Sequence, residues 1–165
     1  MSFIKGFGIG LVVFVALNFV FTLIVAAASG IIDLFFSGLT DLGSIFSLLF
    51  GPIATEPYTN ILGLWSSGGA GSIAGILTYT FNIVSPLIAA IIAGRLAGGK
   101  RFAALAWFLI AILTAGLLLI PEFLNLTSTS LLAIGGVIFL TFIPGVINGV
   151  FYATFGMLVS ESEFY

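Results

Sequence analysis

Apolar residues run in four long blocks, at about 7–28, 73–94, 102–120 and 131–157. Between them gather Gly, Ser, Thr, Asn, Asp and Pro. A helix rises about 1.5 Å per residue, so crossing a hydrocarbon core of about 30 Å takes about 20 apolar residues. Each block reaches that length, and the pattern predicts four membrane-spanning helices. Polar positions inside the blocks are ordered. Gly71, Gly75, Thr78, Asn82, Ser85 and Ala89 recur at steps of three and four, the spacing of one helix face. The opposite face is Ile, Leu, Phe and Val. In lipid the apolar face is the exposed one, and the small, polar face packs on other helices. Similar stripes occur in the first block (Asn18, Thr22, Ala26, Ser29) and the fourth (Thr141, Gly145, Asn148, Tyr152, Gly156). The third block carries only Thr114. The first, second and fourth helices are therefore expected to pack together, with the third facing lipid or a partner.

A fifth apolar stretch, residues 30–53, differs. Asp33, Ser37, Thr40, Asp41, Ser44 and Ser47 fall every three or four residues, which predicts one amphipathic helix over about 30–50. Two carboxylates are expensive inside a bilayer, so this helix is expected in the interface or leaning on the bundle. The following SSGGAGS run reads as a flexible connection. Pro144 is expected to kink the fourth span, and Pro86 the second, where the Asn82 amide is placed to compensate the freed carbonyl.

Composition agrees with the pattern. The 165-residue chain is 61% hydrophobic and 6% charged, against about 25% charged in soluble domains. The reading is one all-α, polytopic integral membrane domain surrounded by lipid. Lys5 precedes the first span, and Arg95, Lys100 and Arg101 form a basic turn between the second and third. The positive-inside rule puts both groups in the cytoplasm, with an even number of crossings between them. Four spans with both termini cytoplasmic follow, in the plasma membrane of a prokaryote. Tyr58 and Trp65 suit the outer interface, and Phe102 and Trp107 the inner one. The N-terminal run resembles a secretory leader loosely, but roughly 22 apolar residues exceed the about 7–15 of a leader core, and it is read as a span.

The chemistry is limited. With no Cys and no His, disulfides, thiolate catalysis and Cys- or His-ligated metals and haem are out of reach. A net charge of −2 implies no nucleic-acid partner. Four spans in a Gly-rich chain invite comparison with the rotary ATPase proteolipid, but that machine needs a carboxylate in mid-membrane. Asp33, Asp41, Glu56, Glu122, Glu161 and Glu163 all fall outside the predicted spans. The basic turn lacks the Ser or Thr of a phosphate loop, because Arg101 stands there. Asp33 and Asp41 as paired acids, and Asn125-Leu126-Thr127 as a glycosylation acceptor, are weaker readings than a solvated face and a chance triplet.

The remaining candidates are Asn18, Asn82 and Asn148, near the middle of three spans, with Ser85 and Tyr152 on the same stripes. An unpartnered amide in hydrocarbon loses several kcal/mol, roughly. The three are expected to hydrogen-bond one another as interhelical glue. The leading expectation is a non-catalytic accessory subunit of a larger membrane complex, with lipids and other integral membrane subunits as partners and no cofactor. The second is a small homo-oligomeric channel or carrier for a neutral solute, using the asparagines. Gly-x-x-x-Gly pairs at Gly6/Gly10, Gly71/Gly75, Gly94/Gly98 and Gly145/Gly149 are expected at close helix contacts.

Overall fold

The computed structural model describes residues 2–126 and 130–160. It is all-helical, with four helices long and apolar enough to cross a membrane. These are α1 (Phe3–Ala28), α5 (Ile73–Ala97), α6 (Lys100–Leu124) and α7 (Leu131–Val159). Between α1 and α5 lie α2 (Ile32–Gly38), α3 (Leu42–Phe50), a 3-10 turn (Gly51–Ala54) and α4 (Pro57–Gly69). Thr127, Glu161 and Glu163 lie outside the described residues, so the glycosylation triplet and two of the acids receive no structural account.

α1 and α5 run antiparallel, with Gly6 against Ala97, Gly10 against Ala93 and Asn18 against Ser85. α6 and α7 form a second antiparallel pair, where Gly145 meets Ala115 and Gly149 meets Phe108 and Ala111. α5 joins the pairs: a Cβ at Gly94 would collide with the Gly156 carbonyl of α7. The turn between α5 and α6 is only Gly98 and Gly99, at φ +82° and +144°, backbone that favours glycine. The Phe3 and Phe102 rings sit 6.3 Å apart, so Lys5, Arg95, Lys100 and Arg101 share one end of the bundle and all are exposed.

The 30–50 stretch is two helices, meeting at a bend of 113°. Asp41 stands at the break and caps α3, accepting from the Ser44 N–H at 2.7 Å. Hydrogen bonds from the Ser44 backbone and side chain hold its carboxyl below the usual carboxylate range. The cap is intact above that range and is lost as pH falls through the lowered value. Asp33 stands alone in the first turn of α2, so the two acids share no helix face. α3 starts beside Pro121, near the far end of α6, and descends until the Leu49 carbonyl reaches Asn18. The chain then turns through Gly51-Pro52, and Pro57 opens α4 at its first helical position. α4 climbs back antiparallel to α5, with Asn60 beside Asn82, Gly63 beside Tyr79 and Ser67 beside Gly75. Both arms return to the same end, so residues 42–69 form a re-entrant hairpin. The expected flexible run is mostly the last turn of α4 (Ser66–Gly69), and a short turn through Gly71 at φ +68° leads to Ser72, which caps α5.

The third span corrects its expectation: α6 is the most buried of the four. Ala103, Ala106, Ala111 and Ala115 are fully buried, because their small side chains let neighbours approach closely. Trp107 is likewise in the core, fully buried rather than interfacial. It packs edge-on against Phe14 at 5.7 Å and Tyr152 at 6.2 Å. Trp65, by contrast, is 85% exposed on α4.

The contact between α5 and α7 gives a first prediction. Gly94→Ala drives a methyl group into the Gly156 backbone and should destabilise the protein by about 1–3 kcal/mol. Gly8→Ala, where a Cβ meets open space, should be neutral or stabilising. Thermal unfolding of both variants in mild detergent checks the contrast.

Candidate functional site

Irregular backbone inside a membrane needs hydrogen-bond donors, because no water is there to supply them. The hairpin tip obtains them from the sequence-predicted asparagines. Asn18 donates from Nδ2 to the Leu49 carbonyl at 2.6 Å, and its Oδ1 accepts from the Ser85 hydroxyl. Asn148 donates from Nδ2 to the carbonyls of Ile53 (2.8 Å), Thr55 (3.0 Å) and Pro144 (3.0 Å). Asn82 donates to Oδ1 of Asn60 at 3.3 Å, and Asn60 reaches the Thr55 carbonyl at 3.5 Å. The expectation that the three asparagines bond one another therefore fails. Each turns to the hairpin instead, because three carbonyls and Asn60 at the tip need donors more than the asparagines need each other. Asn82 also does not compensate the carbonyl freed by Pro86. Asn18, Asn60, Ser85 and Asn148 are all buried.

Asn18 stands ten residues from the Ala28 end of α1, placing the tip about 15 Å into the bundle. Above it, α1, α2 and α3 line an open cavity of about 530 Å³ whose walls include Ala26, Phe35, Ser44 and Ser47. A smaller chamber of about 80 Å³ continues inward to Asn18, Phe21, Thr78 and Phe81. The two share Thr22, Val25, Pro52 and Asn82, so they form one vestibule narrowing toward the tip. The larger volume is that of a small-molecule site, and the chamber has room for roughly two or three waters. Among the described residues no charged side chain lines either space. The Asn82 Oδ1 and the Thr22 hydroxyl make no hydrogen bond among the described residues, and both residues line the vestibule. The rest of the lining is largely apolar, so an uncharged molecule suits such walls.

Tyr152 and Asn148 lie below the tip, on the side toward the basic end. Tyr152 is buried against Trp107, whose Nε1 donates to the Asn148 carbonyl at 3.3 Å. Arg95, Lys100 and Arg101 are not part of the site; they stay exposed at the turn. Among the described residues no cluster of acidic side chains could hold a metal ion.

The sequence reading overlooked Asn60, Thr22 and the carbonyls of Leu49, Ile53 and Thr55. A signal existed. The run from Pro57 to Gly94 carries no charged residue and is far longer than one span needs. Gly51-Pro52 and Glu56-Pro57 bracket a break followed by a helix start.

No family model matches this chain, and neither the curated proteins nor the solved structures contain a match to it.

Replacing Asn148 by Leu removes the donor from two tip carbonyls. The loss should be about 1–3 kcal/mol. Hydrogen exchange at residues 51–60 should quicken in the variant while that of α1 and α5 holds, as read by mass spectrometry in detergent.

Proposed function

We propose that this protein binds a small neutral solute within the membrane and acts as a channel or carrier, with the vestibule as its entrance. The observation behind the reading is the re-entrant hairpin, whose tip lies deep in the bundle beneath an uncharged cavity that narrows onto Asn82 and Asn18. A subunit needed only for packing has no use for broken helices at depth, where every freed carbonyl must be given a donor. Walls without charge favour neutral cargo over ions, which require carboxylates, carbonyl rings or helix ends aimed into the path. The positive-inside rule puts the basic end in the cytoplasm and the vestibule on the outer side.

A second reading, a subunit of a larger membrane complex, draws on a different surface. The first turns of α7 carry Leu131, Leu132, Phe139 and Leu140 at 63–88% exposure, with Gly135 and Gly136 facing open space. Small residues flanked by large apolar ones suit contact with another membrane helix. α6 adds a narrower apolar surface: it is the most buried span, yet Leu105, Leu109, Leu113 and Ile120 on it remain exposed.

Stopped-flow swelling of proteoliposomes in glycerol and in urea tests the first reading. Permeation should exceed that of empty liposomes, and Asn82→Leu should slow it roughly tenfold, the equivalent of one lost hydrogen bond. Rates equal to protein-free liposomes for both solutes would refute the proposal. The second reading is tested by weighing the particle after extraction in polymer nanodiscs. Companion polypeptides at fixed stoichiometry would support it; the chain alone or a closed homo-oligomer would count against it.

A further inference from the structure

Two polar atoms below the hairpin tip have no hydrogen-bond partner among the described residues: Oδ1 of Asn148 and the hydroxyl of Tyr152. Both residues are 1% exposed. Buried polar atoms are paired in the great majority of cases, and each exception calls for a cause. The orientation of the Asn148 amide is set by its surroundings. Nδ2 faces the carbonyls of Ile53, Thr55 and Pro144, where an oxygen would meet only other acceptors. Oδ1 is thereby turned away from the tip and left as an acceptor. Tyr152 lies one turn further along α7, and helical side chains lean back toward the N-terminus, so its ring points over the turn that carries Asn148. Trp107 ties the two together, packing on the Tyr152 ring and donating to the Asn148 backbone.

We propose that Asn148 Oδ1 and the Tyr152 hydroxyl form a second polar site, beneath the tip, which binds one water molecule. The ligand class follows from the atoms. One is an acceptor only, the other both donates and accepts, and a water bridging them donates to the first and accepts from the second. A charged occupant has no counter-charge among these partners. Neither Asn148 nor Tyr152 lines the vestibule, so the site is distinct from it. The site continues a polar line that runs from Asn82 through Asn60 and the Thr55 carbonyl to Asn148. The inference stands on the two unpaired atoms and does not require the solute reading.

Tyr152→Phe keeps the ring and deletes only the hydroxyl. If the hydroxyl holds a bridging water, the variant loses a hydrogen bond and its Tm in detergent falls by about 2–4 °C. If the hydroxyl is merely unpaired, deleting it removes a buried polar group and Tm stays level or rises, which overturns the proposal. A structure in lipid that resolves ordered water gives the second readout. It should show one peak about 2.7–3.1 Å from both atoms. No peak there, or a direct contact between the two side chains, also overturns the proposal, whatever the Tm. Neither result bears on glycerol or urea flux, so this inference and the solute reading fail separately.

Discussion

Hydrocarbon offers backbone groups no alternative partner, and this governs the whole molecule. Four helices satisfy most of the rule internally, with interruptions at Pro86, Pro121 and Pro144. The hairpin of residues 42–69 breaks it at the tip, where the helical ladder stops and carbonyls at Leu49, Ile53 and Thr55 are left over. Amide side chains fill the deficit. They suit the task because they donate while carrying no charge, so they bring none of the desolvation penalty of Lys or Arg at that depth. Asn18 on α1 and Asn148 on α7 hold opposite sides of the tip, and the Asn82–Asn60 pair holds the returning arm.

The bundle makes room for this insertion by packing tightly elsewhere. α5 and α7 touch at the basic end, where Gly94 and Gly156 bring backbone to backbone. Further along, the tip lies between them: Ile53 contacts Gly145, Asn148 binds the tip, and Asn60 reaches Asn82. A buried aromatic group of Phe14, Trp107 and Tyr152 packs beneath. Tight packing at one end and a cavity at the other arise from the same wedge.

Much of this was legible in the sequence. Four apolar blocks mark the spans to within a few residues, because lipid imposes length and composition directly. The middles of the stripes containing Asn18, Asn82 and Asn148 face protein, whereas Ser29 and Gly71 are exposed and the expected helix contacts at Gly71 and Gly98 are turns. Other features resisted because they are not periodic. The side chains of 30–50 repeat at three and four residues, which a single helix and two bent helices share; the Asp41 cap distinguishes them. Polarity alone marks α6 as lipid-facing, whereas four buried alanines mark its packed face. Trp107 looked interfacial because Trp favours bilayer interfaces, yet its N–H finds the Asn148 carbonyl inside the core. The asparagines' partners were hidden for a simpler reason: backbone carbonyls have no sequence signature.

The central claim is that residues 42–69 enter and leave on one side. The chain has no cysteine, so single Cys substitutions give an unambiguous label. Ser37→Cys, Ser66→Cys and Lys100→Cys all sit at exposed positions. In sealed proteoliposomes of uniform orientation, a membrane-impermeant maleimide should reach positions 37 and 66 from the same side and position 100 only from the other. Labelling of 37 and 66 from opposite sides would mean that the segment crosses the membrane, and would contradict the account.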